Sequence, residues 1–350
     1  MDTMRPIYEK AVADAKAADT PEKRRGVGIA WGGFNVTEGG GDSAEVALEL
    51  MPGNKIRKYD TWHAMGQGAT TGSLVVTLEA LKEMHLTPED IQLIQNDTKT
   101  CPDTGMAGAS RSLYMDGNAT IIAANKLLAA MRKEDGTLRT YDEMKAEGIE
   151  TKYLGRYETN TTPGLCRLDP NTGIGDPTPA FTYCLNLAEV EVDTKTGKTT
   201  VLKFTCVDFV GRIGNIDAVN GQAYSGIMHG IGFALKEDYA DVKKHANMFG
   251  AGTSYIKDVP DDINLIHIDG AISDGPFGSS GASEAFQASG HCAVLNGIYN
   301  ACGVRIHEIP ALPEKVKAGL DAIAKGEKPY EPKKYFLGSD MYEELENIKE

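Results

Sequence analysis

Residues 181–211 read FTYCLNLAEVEVDTKTGKTTVLKFTCVDFVG, and they decide the fold class. Two runs rich in Val, Leu, Phe and Thr flank the polar tetrapeptide at 194–197, which contains Gly197. That pattern predicts a β-hairpin with its turn at Thr194–Gly197. On its C-terminal side, GNIDAVNGQAYSGIMHGIGFALKEDY (214–239) predicts a long helix interspersed with glycines. HCAVLNGIYNACG (291–303) and PEKVKAGLDAIAKG (313–326) predict two more.

On its N-terminal side, apolar residues Ile7, Ala11, Val12 and Ala15 predict a helix over 5–18, with TPEKRRG (20–26) as a linker. VGIAWGGFNV (27–36) and SAEVALEL (43–50) read as strands, the second alternating Ala44, Val46 and Leu48 against Glu45 and Glu49. MPGNK is a turn into a strand, IRKYDTW. A helix follows the glycines near residue 68, with Leu74, Val75, Leu78 and Leu81 as its apolar face. Thr87 and Pro88 open a turn into a strand that ends near Asp97. GNATIIAANKLLAAMRKE (117–134) and TYDEMKAEG (140–148) are further helices, the latter stopped by Gly148.

Hairpins and helices follow one another without sustained β-α-β alternation. The expected class is therefore α+β rather than a doubly wound sheet. The stretch 151–180, with Pro163, Pro170, Pro177 and Pro179, reads as loop and places a boundary there. The expected organisation is a helix and linker at 1–25, a first subdomain at 26–155 and a second at 156–350.

With 50 acidic against 36 basic residues the formal net charge is −14. Such a chain repels nucleic acid, and Lys23-Arg24-Arg25 is the one basic cluster. No apolar run is long enough to span a bilayer, and the N-terminus lacks a secretory h-region. The six cysteines form no CxxC pair, which disfavours zinc ribbons and iron–sulfur cages. Reduced thiols in the cytoplasm are expected, with Cys184 and Cys206 in the core.

Three glycine-rich places can carry chemistry. MGQGATTG (65–72) lies between a strand and a helix, where free backbone N–H groups favour an anion. Its spacing is GxGxxxG, not the GxGxxG of a dinucleotide fingerprint, so a nicotinamide site is disfavoured and a plain tight turn stays open. In GMAGASRSLYMDGNA (105–119), Arg111 between Ser110 and Ser112 is either a phosphate clamp or a solvated loop arginine. In GPFGSSGASEAF (275–286), small residues surround one carboxylate, Glu284, in a loop before a helix near His291. A carboxylate held in a tight, partly dry pocket serves as a base, while in an open loop it is only a surface group. His63, His229 and His291 lack metal-ligand spacing and read as core or surface histidines.

These segments, with MRPIYEKAV (4–12), GQAYSGIMHGIGFALKEDY (221–239) and GVRIHEIPALPEKV (303–316), carry a resemblance over nearly the whole chain. The sequence resembles the C-terminal half of the molybdenum-binding subunit of the xanthine oxidase family, and within it the bacterial aldehyde oxidoreductases. The resemblance implies a two-subdomain molybdopterin-binding architecture and a molybdopterin cytosine dinucleotide carrying molybdenum, with no metal ligand from this chain. Gly66, Gln67, Gly68 and Ala69 match a segment that wraps the dinucleotide. Ser110, Arg111 and Ser112 match phosphate and nucleotide contacts. Ser280, Gly281, Ala282 and Ser283 match the loop beneath the cofactor, and Glu284 matches the general base. The implied reaction oxidises an aldehyde to a carboxylic acid with oxygen from water. A heteroaromatic hydroxylase subunit of nicotinate or xanthine dehydrogenase type is the alternative within the class. A non-catalytic fragment or binding module is the alternative outside it.

Ser225-Gly226 and His229 stand where many relatives have a glycine pair and a glutamine, and GASEAFQ departs from the usual sequence around the base. Both departures bear on the shape of the substrate pocket. The loops of the family's other half do not occur in these 350 residues. A split subunit is therefore expected, partnered by a chain or domain with the N-terminal half and by 2Fe–2S clusters on other domains or chains.

Overall fold

The computed structural model describes residues 2–37, 42–159, 169, 171–175 and 178–327. The proline-rich stretch at 160–168, with Pro163 and Cys166, lies outside the described residues, as do Pro170, Pro177 and the tail from residue 328. In order, the elements are α1 (Met4–Ala18), β1 (Lys23–Val36), β2 (Ser43–Met51), β3 (Lys55–Asp60), α2 (Ala69–Ala80), β4 (Ile91–Gln95), α3 (Ser112–Met131), α4 (Tyr141–Ala146) and β5 (Lys152–Glu158). The later part contains β6 (Ala180–Asp193), β7 (Thr199–Phe209), α5 (Ile216–Leu235), α6 (Met248–Ala251), β8 (Asp262–His267), α7 (Ser283–Gln287), α8 (Gly290–Cys302) and α9 (Pro313–Ala324).

Two four-stranded sheets result, ordered β1-β6-β7-β8 and β4-β3-β2-β5. The fold is α+β. The hairpin of β6 and β7 pairs antiparallel, and β8 joins β7 in parallel. In the other sheet β2 pairs antiparallel with β3 and β5, and β4 lies parallel to β3. Lys152–Glu158 is thus a strand rather than the start of a loop.

The expected linker at 20–25 is shorter than its composition implies. Lys23, Arg24 and Arg25 begin β1, in register with Asp193, Val192 and Glu191. Lys23 and Arg25 both reach Glu191, at 2.8 and 2.9 Å, and Arg24 reaches Asp19 at 3.0 Å, so each member of the basic cluster has an acidic partner at the protein surface. Hydrogen bonding also assigns β1 to the sheet of β6–β8, whereas a division at 155/156 assigns it to the first subdomain.

Glycines let α8 lie close on that sheet. A Cβ on Gly28 would sit 2.0 Å from the Ala293 carbonyl oxygen, and one on Gly26 would sit 2.3 Å from the Ala301 nitrogen. Asn300 and Asn296 of α8 donate to the carbonyls of Val27 and Ile29 on the edge strand β1. These bonds cover a strand edge that would otherwise offer unpaired groups. The face expected on α2 is also different. Ser73, Val76 and Thr77 are buried, and Ser73 donates to Asp60 at 2.7 Å, while Leu74, Val75 and Leu78 are only partly covered. A buried carboxylate under the helix holds the Ser73 hydroxyl inward, because a buried charge short of hydrogen-bond donors is the costlier alternative, while the Thr77 hydroxyl donates to the Ser73 carbonyl.

The two sheets meet through α3. Gly155 lets α3 sit on β5, and Gly117 lets it abut Pro276, whose ring a Cβ would approach to 2.6 Å. One core cluster draws Val36, Ala44, Val46, Tyr114, Met115, Ala180 and Ile272 from both halves. Among the described residues no helix is long and apolar enough to cross a membrane.

Candidate cofactor cleft

A cleft of about 990 Å³ opens where the two halves meet. The turn after β3 forms one wall. Gly66 and Gly68 take φ of +108° and +87°, a region that side chains rarely tolerate. Gln67 holds this turn together by its side chain: Oε1 accepts from the Met65 N–H at 2.5 Å and Nε2 donates to the His63 carbonyl at 3.1 Å. Gly68 is the N-cap of α2 and supplies no side-chain cap, and Ala69 follows as the first helical residue.

The loop before α3 forms the second wall. Ala109 and Ser110 both have positive φ, and the loop is pinned by the Thr37 N–H donating to the Ala109 carbonyl at 3.0 Å. Helix α3 also begins without a side-chain cap, with Ser112 and Leu113 on the cleft. The third helix end is that of α5, where Asn215 caps the Ala218 N–H and lines the cleft. Helix N-termini leave backbone donors unsatisfied and carry partial positive charge. Three of them converge here.

The glutamate is where the sequence pointed, with one difference. Glu284 lies in the first turn of the short helix α7 rather than in open loop, and it is half-buried. Its carboxylate accepts from the Ser110 N–H at 3.2 Å and from the Ser110 hydroxyl. Gly281 makes this possible, since a Cβ there would sit 1.8 Å from the Ser110 carbonyl oxygen. Ser280, Gly281, Ala282 and Ser283 all line the cleft, as do Gly66, Gln67, Gly68, Ala69, Ser110 and Ser112.

Arg111 does not. It is 2% exposed and its guanidinium is taken up by the protein. Nε and Nη2 bind the two Asp42 oxygens at 2.5 and 2.8 Å, Nη1 reaches the Thr104 and Met106 carbonyls, and Nη2 also reaches that of Ser43. The phosphate-clamp expectation is overturned: Arg111 closes the loop and has no donor left for a ligand.

His229 and Ser225, the departures expected to shape the pocket, line the cleft, and the Gln287 amide donates to His229 Nδ1 at 3.0 Å. The sequence reading missed Arg212, which lines it as well. The signal for Arg212 was present as VGRIGN, an arginine between glycines ahead of a helix, whereas Arg111 was singled out by its flanking serines. His63 binds its own turn at the Thr61 carbonyl. Burial lowers the pKa of His291 from its ordinary value.

The cleft's residues fit a large anionic cofactor. Ser280 is 6% exposed and its hydroxyl has no partner among the described residues, which is costly unless a ligand supplies one. The glycines at 66, 68 and 281 leave room for a ligand to approach the backbone.

Comparison with known proteins agrees. The molybdopterin cofactor-binding domain profile matches residues 4–260. The aldehyde oxidoreductase of Megalodesulfovibrio gigas is 40% identical over 322 residues, which is 92% of this chain and 35% of that protein. The crystal structure of the aldehyde oxidoreductase from Desulfovibrio desulfuricans superposes with a TM-score of 0.87 at 43% identity, covering 90% of this chain and 34% of that one. The gamma subunit of the 6-hydroxypseudooxynicotine dehydrogenase complex of Paenarthrobacter nicotinovorans is 23% identical over 92% of this chain and 43% of its own length. The chain thus spans between about a third and about two fifths of the length of these relatives. Sequence match, superposition and a glycine-walled, anion-seeking cleft agree, and the chain belongs to the molybdopterin cofactor-binding domain family.

Proposed function

We propose that this chain is the cofactor-binding part of an aldehyde oxidoreductase that converts aldehydes to carboxylic acids, with water as the oxygen source. The observation that carries this reading is the arrival of Glu284 in the same cleft as the glycine turn of 66–68 and three helix N-termini. When bound, molybdopterin cytosine dinucleotide supplies the molybdenum redox centre that accepts two electrons from the substrate.

The chain's own residues divide the remaining work. Backbone N–H groups at Gly66–Ala69 and at the starts of α2 and α3 hold the cofactor's anionic parts. The Ser112 hydroxyl and the Ser280–Ser283 loop support it from the other side. Glu284 is the general base: it takes the proton that the water-derived nucleophile loses on attacking the aldehyde carbon. Ser110 holds that carboxylate by its N–H and hydroxyl. Aldehyde plus water gives acid, two electrons and two protons. The electrons leave through 2Fe–2S clusters on other domains or chains. A chain or domain with the N-terminal half of the subunit completes the site, in keeping with the shorter span of this chain and with a relative named as one subunit of a complex. The assembly works in the cytoplasm.

The test is anaerobic purification of the chain with its partners, followed by assay of molybdenum, cytosine nucleotide and aldehyde oxidation. Stoichiometric metal and nucleotide are expected. Glu284→Gln is expected to lower turnover by about a hundred- to ten-thousand-fold, the range for loss of a general base, while the cofactor stays bound. Undiminished turnover in that variant removes Glu284 as the base. A purified assembly without metal or nucleotide sinks the catalytic reading and leaves a binding module.

A further inference from the structure

We propose that Arg212, with the hydroxyl of Ser280, forms the cationic end of the cleft and binds phosphate oxyanions of a nucleotide ligand; the inference rests on the cofactor reading above and names the residue that Arg111 cannot be.

Charge comes first. Among the described residues Arg212 is the one lysine or arginine on the cleft lining. It is exposed, and among the described residues its guanidinium has no hydrogen-bond or ion-pair partner. Glu79, another charged group on the lining, is already paired with Lys82 at 2.9 Å. A guanidinium offers five donors in a planar fork suited to phosphate oxygens. In a chain of net charge −14, a lone arginine in a concave site is a local exception to the field around it.

The backbone beneath it is held. Gly211 bridges antiparallel to Ser279, and the Arg212 N–H donates to the Gly278 carbonyl at 2.9 Å. Both glycines need to be glycine. Gly211 and Gly278 have φ of +82° and +84°, and a Cβ on Gly211 would sit 2.6 Å from the Gly278 carbonyl oxygen. The same edge-to-edge contact therefore positions Arg212 on one segment and Ser279-Ser280 on the other.

The third part is the orphaned hydroxyl. Ser280 is nine-tenths buried, lines the cleft and has no partner among the described residues. The N-terminus of the 20-residue helix α5 begins four residues after Arg212, with Asn215, Ala218 and Val219 on the lining. A free cation, an unpartnered buried hydroxyl and a long helix's positive end describe a phosphate subsite.

The experiment titrates the full cofactor-free chain with inorganic pyrophosphate and, separately, with cytidine diphosphate, by calorimetry at two salt concentrations. Wild type is expected to bind both, more weakly at higher salt. Arg212→Gln is expected to weaken both by about tenfold or more, the worth of a charge-assisted hydrogen bond, and Arg212→Lys to recover part of the loss. Ser280→Ala is expected to weaken both by a smaller factor. Equal affinity in Arg212→Gln and wild type overturns this assignment and leaves the cofactor reading standing. Loss of cytidine diphosphate binding with pyrophosphate unaffected also overturns it, since the arginine then reads the nucleoside. A folded wild-type chain that binds neither probe overturns the assignment and the cofactor reading together. The melting temperature of each variant, expected to match wild type, excludes misfolding as the cause.

Discussion

Arg111 and Arg212 stand in similar sequence surroundings and do opposite things. Each follows a glycine-bearing loop, each precedes a 20-residue helix, and their loops flank one cleft. Arg111 is buried against Asp42 and three carbonyls, while Arg212 is exposed and free among the described residues. The difference teaches that an arginine's role follows from where the nearest carboxylate folds to. Asp42 lies 69 residues before Arg111 in sequence and two N···O bonds away in space.

The largest expected effect breaks this pairing. Arg111→Ala leaves the Asp42 carboxylate without its partner and three carbonyls short of a donor. Loss of about 3–5 kcal/mol is expected, the usual cost of breaking a buried pair from one side, read by chemical denaturation. Arg212→Gln is the control, and a comparable loss there would erase the contrast.

A second buried cation sharpens it. Lys58 is fully buried and serves two carboxylates, Asp116 at 2.6 Å and Asp60 at 3.3 Å. Asp60 also accepts from Ser73, Gln95 and the Trp62 N–H, whereas one Asp116 oxygen has no partner. Burial therefore pushes the Asp116 carboxyl up to about 6, against the attraction of Lys58 and aided by repulsion from Asp60. The folded chain keeps that proton to about pH 6, while the unfolded chain releases it near pH 4. Between those values the folded state binds more protons, so this group's contribution to stability is lost as pH rises. Up to about 3 kcal/mol is involved over two pH units. Asp116→Asn is expected to remove that fall, seen as a smaller loss of melting temperature from pH 4.5 to 7 than in wild type. An unchanged difference would mean that Asp116 is already ionised at the lower pH.

A smaller effect is expected where the cleft's two walls touch. Gly281→Ala drives a methyl group into the Ser110 carbonyl oxygen, and the backbone there must move. About 1–3 kcal/mol is expected, as for overpacking elsewhere. The Ser110–Glu284 contact should open with it, which nuclear magnetic resonance of the Ser110 amide reports. An unperturbed amide would show that the walls are looser than their packing indicates. Smallest of all, Arg212→Gln is expected to change stability by less than about 0.5 kcal/mol, as for an unpaired surface residue.

Much of the fold was legible because it rests on local pattern. The β6–β7 hairpin, the helix at Ile216–Leu235 and the Thr87-Pro88 start each depend on residues a few positions apart. The cleft's glycine loops were legible for the same reason, as was the place of Glu284 among them. The buried face of α2 was not, because Ser73 turned inward to a carboxylate on another element. Nor was the sheet membership of β1, whose partner strand lies some 150 residues along.

By itself, then, the sequence determined where the chain must turn, which segments alternate or cycle, and that one glutamate sits among glycines. Those properties follow from φ preferences and from side-chain periodicity, which act within a turn or two. Only the tertiary structure decided which charges are consumed by the protein and which remain for a ligand. A guanidinium's partner is set by desolvation: whichever carboxylate is buried beside it claims it. That neighbour is chosen by the packing of the whole chain.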